Sequence, residues 1–138
     1  MKKLYIAIFV ILLIIVLSCS LDRTNPLDPE VNPDIYTPPR VDSLWVYFNN
    51  FKLTWIKPYY HDQDTTIYAD GYFVWGARSW NTKFDLIDNN VGADNTIIDV
   101  EEFYVERNYL VFRVSSYLVY PPNDTLVGYS SKAVTFQN

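Results

Sequence analysis

Fourteen consecutive apolar residues, Leu4–Leu17, follow Lys2 and Lys3 and stop one residue short of the only cysteine in the chain, Cys19. A basic start, an apolar run of this length and a small residue at its end form a secretory signal. The run is shorter than the roughly 20 residues a helix needs to cross the hydrocarbon core, and Asp22 and Arg23 follow closely. Residues 1–18 are therefore expected to be cut away, and the fold must come from the remainder. One cysteine excludes an intrachain disulfide, so packing alone must hold that remainder together.

The end of the run, Val16-Leu17-Ser18-Cys19, resembles the lipobox of bacterial lipoproteins, with Leu17 where a small residue is commoner. The resemblance implies a diacylglyceryl thioether on Cys19, cleavage before it and acylation of the new amine, palmitate being a typical acyl group. One acyl chain holds a protein at a membrane only marginally, whereas two or more anchor it stably. Ser20 follows the cysteine in place of an acidic residue. By analogy with Gram-negative lipoproteins this permits transfer to the outer membrane. The expected location is the cell envelope, reached by export and kept by lipid.

Residues 19–39 hold five of the chain's eight prolines: Pro26, Pro29, Pro33, Pro38 and Pro39. Proline fixes φ, removes a donor and pushes its predecessor to extended geometry, so this stretch reads as a semi-rigid tether. Asn25-Pro26-Leu27-Asp28-Pro29 is similar to a segment found after the lipidated cysteine in some bacterial surface lipoproteins. Leu27, Val31 and Ile35 recur every four residues and give an alternative reading, a segment docked on the domain.

From Arg40 to Asn138 the pattern has period two. Phe51-Lys52-Leu53-Thr54-Trp55 alternates, Gly71–Gly76 is apolar on both faces, Tyr109–Val119 is a long β-rich run, and Lys132–Phe136 alternates again. Val41–Phe48, Phe84–Ile87 and Thr96–Val100 are shorter candidates. Asn49-Asn50, His61–Asp64, Asp88–Asn90 and Pro121–Asp124 read as turns between them. No amphipathic helix of ordinary length is expected. Seven short strands separated by turns predict an all-β sandwich or barrel. With 49% hydrophobic residues the chain is far from the composition of disorder. A net charge of −5 argues against nucleic acid as a partner.

Residues 40–138 resemble a fibronectin type III module, an immunoglobulin-like sandwich of seven strands. Pro39–Leu44 matches its first strand. Phe51-x-Leu53-x-Trp55 before Pro58 matches the second strand with its buried tryptophan. Gly71–Val74, Leu110–Ser116 and Gly128–Val134 match the third, sixth and last strands. The resemblance implies a core of Leu53, Trp55, Tyr72, Val74, Phe112 and Val114, with Lys52, Thr54, Arg113 and Ser115 toward solvent. One position departs: the family's corner tyrosine falls on Leu110, with Tyr109 just before it. Either the register slips by one residue, which would reverse the faces, or the corner hydrogen bond is absent or made differently.

Residues suited to catalysis are sparse. His61, the single histidine, lies among acids with no nucleophile motif nearby. Glu101 and Glu102 are adjacent, and adjacent strand residues point to opposite faces, which suits no acid/base pair. Asp88-x-Asn90-x-Gly92-x-Asp94, with Asp99 beyond, has oxygen ligands at alternate positions. Gly92 replaces a ligand and Ala93 stands where the turn glycine belongs, so an ordinary polar turn is the simpler reading. Tyr59, Tyr60, Trp80, Tyr117 and Tyr120 crowd near expected loops. Tyrosine and tryptophan join a rigid apolar body to a polar tip, which suits contact surfaces, and flat rings stack on sugar faces. Packing at strand ends is the structural alternative. The expectation is a lipid-anchored, non-catalytic adhesion or assembly module with no cofactor and no metal. Its partner would be an envelope protein or an extracellular polysaccharide, and its binding residues Tyr59, Tyr60, Trp80 and Tyr120. A carbohydrate-binding surface lipoprotein is the rival reading.

Overall fold

The computed structural model describes residues 35–121 and 124–137. The signal segment, Cys19 and most of the tether lie outside the described residues, as do Pro122 and Asn123. Tyr36–Asn138 forms one compact unit. Among its described residues are ten strands and one short helix, all paired strands running antiparallel.

The first sheet joins β1 (Leu44–Val46), β2 (Lys52–Trp55) and β7 (Ile97–Asp99) in the order β1-β2-β7. The second runs β10-β8-β5-β6, with β9 pairing β8 beside it. Its members are β5 (Gly71–Ala77), β6 (Asp85–Gly92), β8 (Val111–Tyr120), β9 (Asp124–Ser130) and β10 (Val134–Thr135). A two-stranded hairpin, β3 (Tyr59–Asp62) and β4 (Thr65–Tyr68), interrupts the connection from β2 to β5. A single parallel bridge between Tyr47 and Gln137 links the edges of the two sheets.

Alternation puts Leu44 and Val46, then Leu53 and Trp55, on one face of the first sheet. Tyr72, Val74, Phe112 and Val114 lie on the facing side of the second. All belong to one buried cluster with Val41, Val91, Val100 and Tyr109. Trp55 meets Tyr72 edge to face at 5.1 Å between centroids, the geometry that aromatic quadrupoles favour. The six core residues expected from the sequence are therefore all buried, and the architecture is an all-β sandwich.

Several local expectations are corrected. Ser115, expected in solvent, is only 2% exposed, because β9 crosses it and its hydroxyl meets that of Ser130 at 2.9 Å. Lys52 and Thr54 are half-buried. Arg113 is half-buried too, its guanidinium 4.2 Å from the Phe84 ring centroid and 5.6 Å from that of Trp75. Asp88-Asn89-Asn90 is not a turn but the middle of β6. That edge strand absorbs the polar residues by bulging: its register against β5 shifts on either side of Val74–Asp88. The Asp88 carboxylate accepts the Asn90 N–H there at 2.9 Å. Of His61–Asp64, His61 and Asp62 end β3, while Gln63, at φ 51°, and Asp64 make the hairpin turn.

The helix α1 (Glu101–Arg107) follows β7 where strand residues run out. Asp99 accepts the Glu101 N–H at 2.9 Å, acids fill the first turn, Arg107 ends the last, and Asn108 closes it in the left-handed region. The register question is settled by the next residues. Phe112 and Val114 face the core, while Tyr109 turns inward and its hydroxyl donates to Asp85 at 2.7 Å.

Residues 36–39 lie along the second sheet. The Ser116 hydroxyl donates to the Pro39 carbonyl, and the Tyr120 hydroxyl donates to the Tyr36 carbonyl at 2.9 Å while accepting the Tyr36 N–H at 2.7 Å. Gly128 makes room: a Cβ there would stand 2.9 Å from Pro38 Cβ.

Two substitutions test this packing. Trp55→Ala should cost about 3–5 kcal/mol, as large-to-small core changes do, read from denaturant midpoints. Gly128→Ala should cost about 1–3 kcal/mol by overpacking and speed tryptic cleavage after Arg40 as the 36–39 segment is displaced. Unchanged cleavage would show that the segment does not depend on that contact.

Candidate functional site

The hairpin β3–β4 sorts its side chains by face. Tyr59 pairs with Tyr68 and His61 with Thr66, while Tyr60 pairs with the buried Ile67. Period two places Tyr59, His61, Thr66 and Tyr68 outward together. Tyr59 is 58% exposed and Tyr68 50%. Their rings lie 5.8 Å apart at 40°, with His61 5.6 Å from Tyr59. The Thr66 hydroxyl and His61 Nδ1 are 2.9 Å apart, so the lone histidine is tied into this face.

Beside Tyr59 opens a groove of about 180 Å³. Arg40, Asp42 and Ser43 line it from the approach to β1, and Ile56, Lys57 and Pro58 from the turn after β2. Arg40 Nε lies 3.4 Å from Asp42 Oδ1. Lys57 Nζ meets Asp94 at 2.6 Å and stands 5.3 Å from the Tyr68 ring centroid. The hydrogen bond from Lys57, then its charge, hold the Asp94 carboxyl below the usual carboxylate range. Both pairs are solvent-exposed, so each adds little to stability.

The four binding residues expected from the sequence separate into three places. Tyr59 is on the groove. Tyr60, in β3, and Tyr120, at the end of β8, come near each other around residues 36–37: burial, then nearby Asp62 and Tyr120, raises the Tyr60 hydroxyl above its ordinary value, partly offset by the Thr37 backbone. Burial raises Tyr120 as well, partly offset by the Tyr36 backbone. Trp80, 58% exposed, lies past the far end of β5. Seven residues of strand, roughly 23 Å at 3.3 Å each, separate it from the hairpin. Tyr117 stacks on Phe73 at 4.9 Å across the outer sheet face.

The motif Asp88–Asp94 does not gather its oxygens. Asp94 is taken by Lys57, and Asp99 by Lys52 at 2.5 Å. Among the described residues no three His, Cys, Asp or Glu side chains group closely enough to hold a metal. Arg40, Asp42, Ser43, Lys57 and Tyr68 were not singled out from the sequence. Cys19 lies outside the described residues. Among the described residues no helix is long and apolar enough to cross a membrane. No family model, curated protein or solved structure matches the chain.

Burial also raises Tyr72, partly offset by the Trp55 indole facing it. Three hydroxyls are thus harder to ionise in the folded chain than their ordinary value of 10.0. The unfolded chain loses these protons first, so stability is intact below about pH 10 and falls as pH rises beyond it. Melting temperatures should drop between pH 9.5 and 11.5, and less steeply in Tyr60→Phe. A flat profile would refute the assignment.

Proposed function

We propose that this chain is an exported lipoprotein, held at the cell envelope by lipid on Cys19, whose domain is a non-catalytic interaction module. The cell's outer membrane, where it has one, is its place. The observation that carries this is the outward aromatic face of the β3–β4 hairpin beside an open groove, mounted on a sandwich core. Binding groups collect on such projections because the scaffold tolerates change there, and exposed tyrosines supply contact area at low entropic cost.

A fibronectin type III-like module is the finer reading of the fold. The orders β1-β2-β7 and β6-β5-β8 support it, as does the placing of β9 and β10 successively along β8, as one interrupted last strand. The hairpin would then be an insertion between the second and third strands. From Cys19 to Tyr36 the chain can reach at most about 60 Å, enough to lift such a module clear of lipid headgroups.

The test uses the full-length chain produced in a bacterium that lipidates proteins. Mass spectrometry of the wild-type N-terminal peptide should show a thrice-acylated or diacylglyceryl Cys19, and Cys19→Ala an uncut, lipid-free terminus. A free Cys19 thiol would overturn the anchor. Capture from intact envelopes should recover a component that Tyr59→Ser with Tyr68→Ser no longer retains. Recovery unaffected by the pair would overturn the hairpin's role.

A further inference from the structure

We propose that the groove beside β3 binds a neutral sugar ring of an extracellular polysaccharide, stacked on Tyr59 and clamped by Arg40 and Asp42. This inference rests on the interaction-module reading and names its ligand class.

Three features of the groove favour this ligand. The first is a half-open aromatic wall. Tyr59 lines the groove and Tyr68 stands beside it on the same outward face, both at least half exposed, and their 5.8 Å spacing and 40° tilt extend the groove into a curved aromatic platform for the C–H face of a pyranose. Apolar contact with such a face is favourable while the ring's hydroxyls stay at the edge. Ile56 and Pro58 continue the apolar wall within the groove.

The second is planar polar chemistry at the platform's edge. The Arg40 guanidinium offers paired donors and the Asp42 carboxylate paired acceptors, and they lie 3.4 Å apart in the same groove. Adjacent sugar hydroxyls present one donor and one acceptor each, which such paired groups satisfy two at a time. Both side chains are largely exposed, so the Arg40–Asp42 pair is weak and opens at little cost. Ser43 adds a hydroxyl beside them.

The third is charge. Arg40 is offset by Asp42 and Lys57 by Asp94. A groove whose cations are each matched by a carboxylate has no surplus for a uronate, sulfate or phosphate. A sugar without charge satisfies it without stranding an ion. The groove is open to solvent, so a ring within a longer polymer enters as readily as a terminal one.

Titration calorimetry of the detergent-solubilised full-length chain with cellohexaose and with N-acetylchitohexaose tests this. Both are neutral β-1,4-linked oligomers with unobstructed C–H faces. At least one should bind saturably. Tyr59→Ala and Asp42→Ala should each weaken it tenfold or more, Tyr68→Ala several-fold, and Tyr59→Phe and Trp80→Ala less than twofold. The altered side chains are exposed, and melting temperatures near wild type will show that each variant is folded. No binding of either oligomer at 10 mM overturns the proposal. So does equal loss in Trp80→Ala, or tighter binding of an oligogalacturonate than of either neutral probe. If the hairpin captures an envelope protein while both oligomers fail, the sugar inference falls and the module reading stands.

Discussion

The contact between Trp55 and Tyr72 joins the two sheets of a chain that has no disulfide available to do so. Everything else is arranged around that cross-sheet packing. Val41, Val46, Leu53, Val74, Phe112 and Val114 close around it with almost no exposure. The core leaves polar loose ends: the Trp55 Nε1–H finds no partner in hydrogen-bonding geometry, and the Tyr72 hydroxyl reaches only Ala93 O at 3.4 Å. Unmade hydrogen bonds in a buried site are costly. Apolar burial and ring packing must therefore outweigh them, and the tightness of this one contact sets how much disruption the domain can absorb.

The residues that read clearly were those whose two faces differ. Leu53 and Trp55 alternate with Lys52 and Thr54, so their strand and inward face are legible from period two, whereas the inward faces of Phe112 and Val114 came only with the resemblance to a fibronectin type III module, whose register was open at Leu110. Three features did not follow. The hairpin at Tyr59–Tyr68 was hidden because His61 and Asp62 have turn chemistry; cross-strand pairing with Thr65 and Thr66, which the sequence does not announce, makes them strand. Asp88–Asn90 misled for the opposite reason, since an edge strand that bulges tolerates residues a central strand would reject. Glu101–Arg107 is too short for a helical period to emerge, though its acids, its arginine and Asn108 were helix-end signals.

The site was legible to the extent that a single residue carries it. Tyr59 stands where an exposed aromatic was expected. The Tyr120 hydroxyl clasps the backbone of Tyr36 with Tyr60 nearby, and Trp80 lies past the far end of β5. The groove itself brings Arg40–Ser43 against Ile56–Tyr59 across a gap of twelve residues in sequence. No local pattern encodes such a meeting. It arises because β1 pairs antiparallel with β2, which aligns the stretch before one strand with the stretch after the other.

The way residues 36–39 are fastened has a mechanical consequence. The chain enters the domain at Tyr36, beside Tyr120 and Tyr60, and runs within a few residues to Arg40, Asp42 and Ser43. A pull delivered through the polypeptide at Tyr36, and a pull delivered through anything held in the groove, act on the same end of the sandwich. The path of force between them is a short stretch of backbone clasped by a tyrosine hydroxyl and a serine hydroxyl. Trp55 and Tyr72 lie off that path. Parting those two hydroxyl clasps would lengthen the chain without touching the contact between Trp55 and Tyr72.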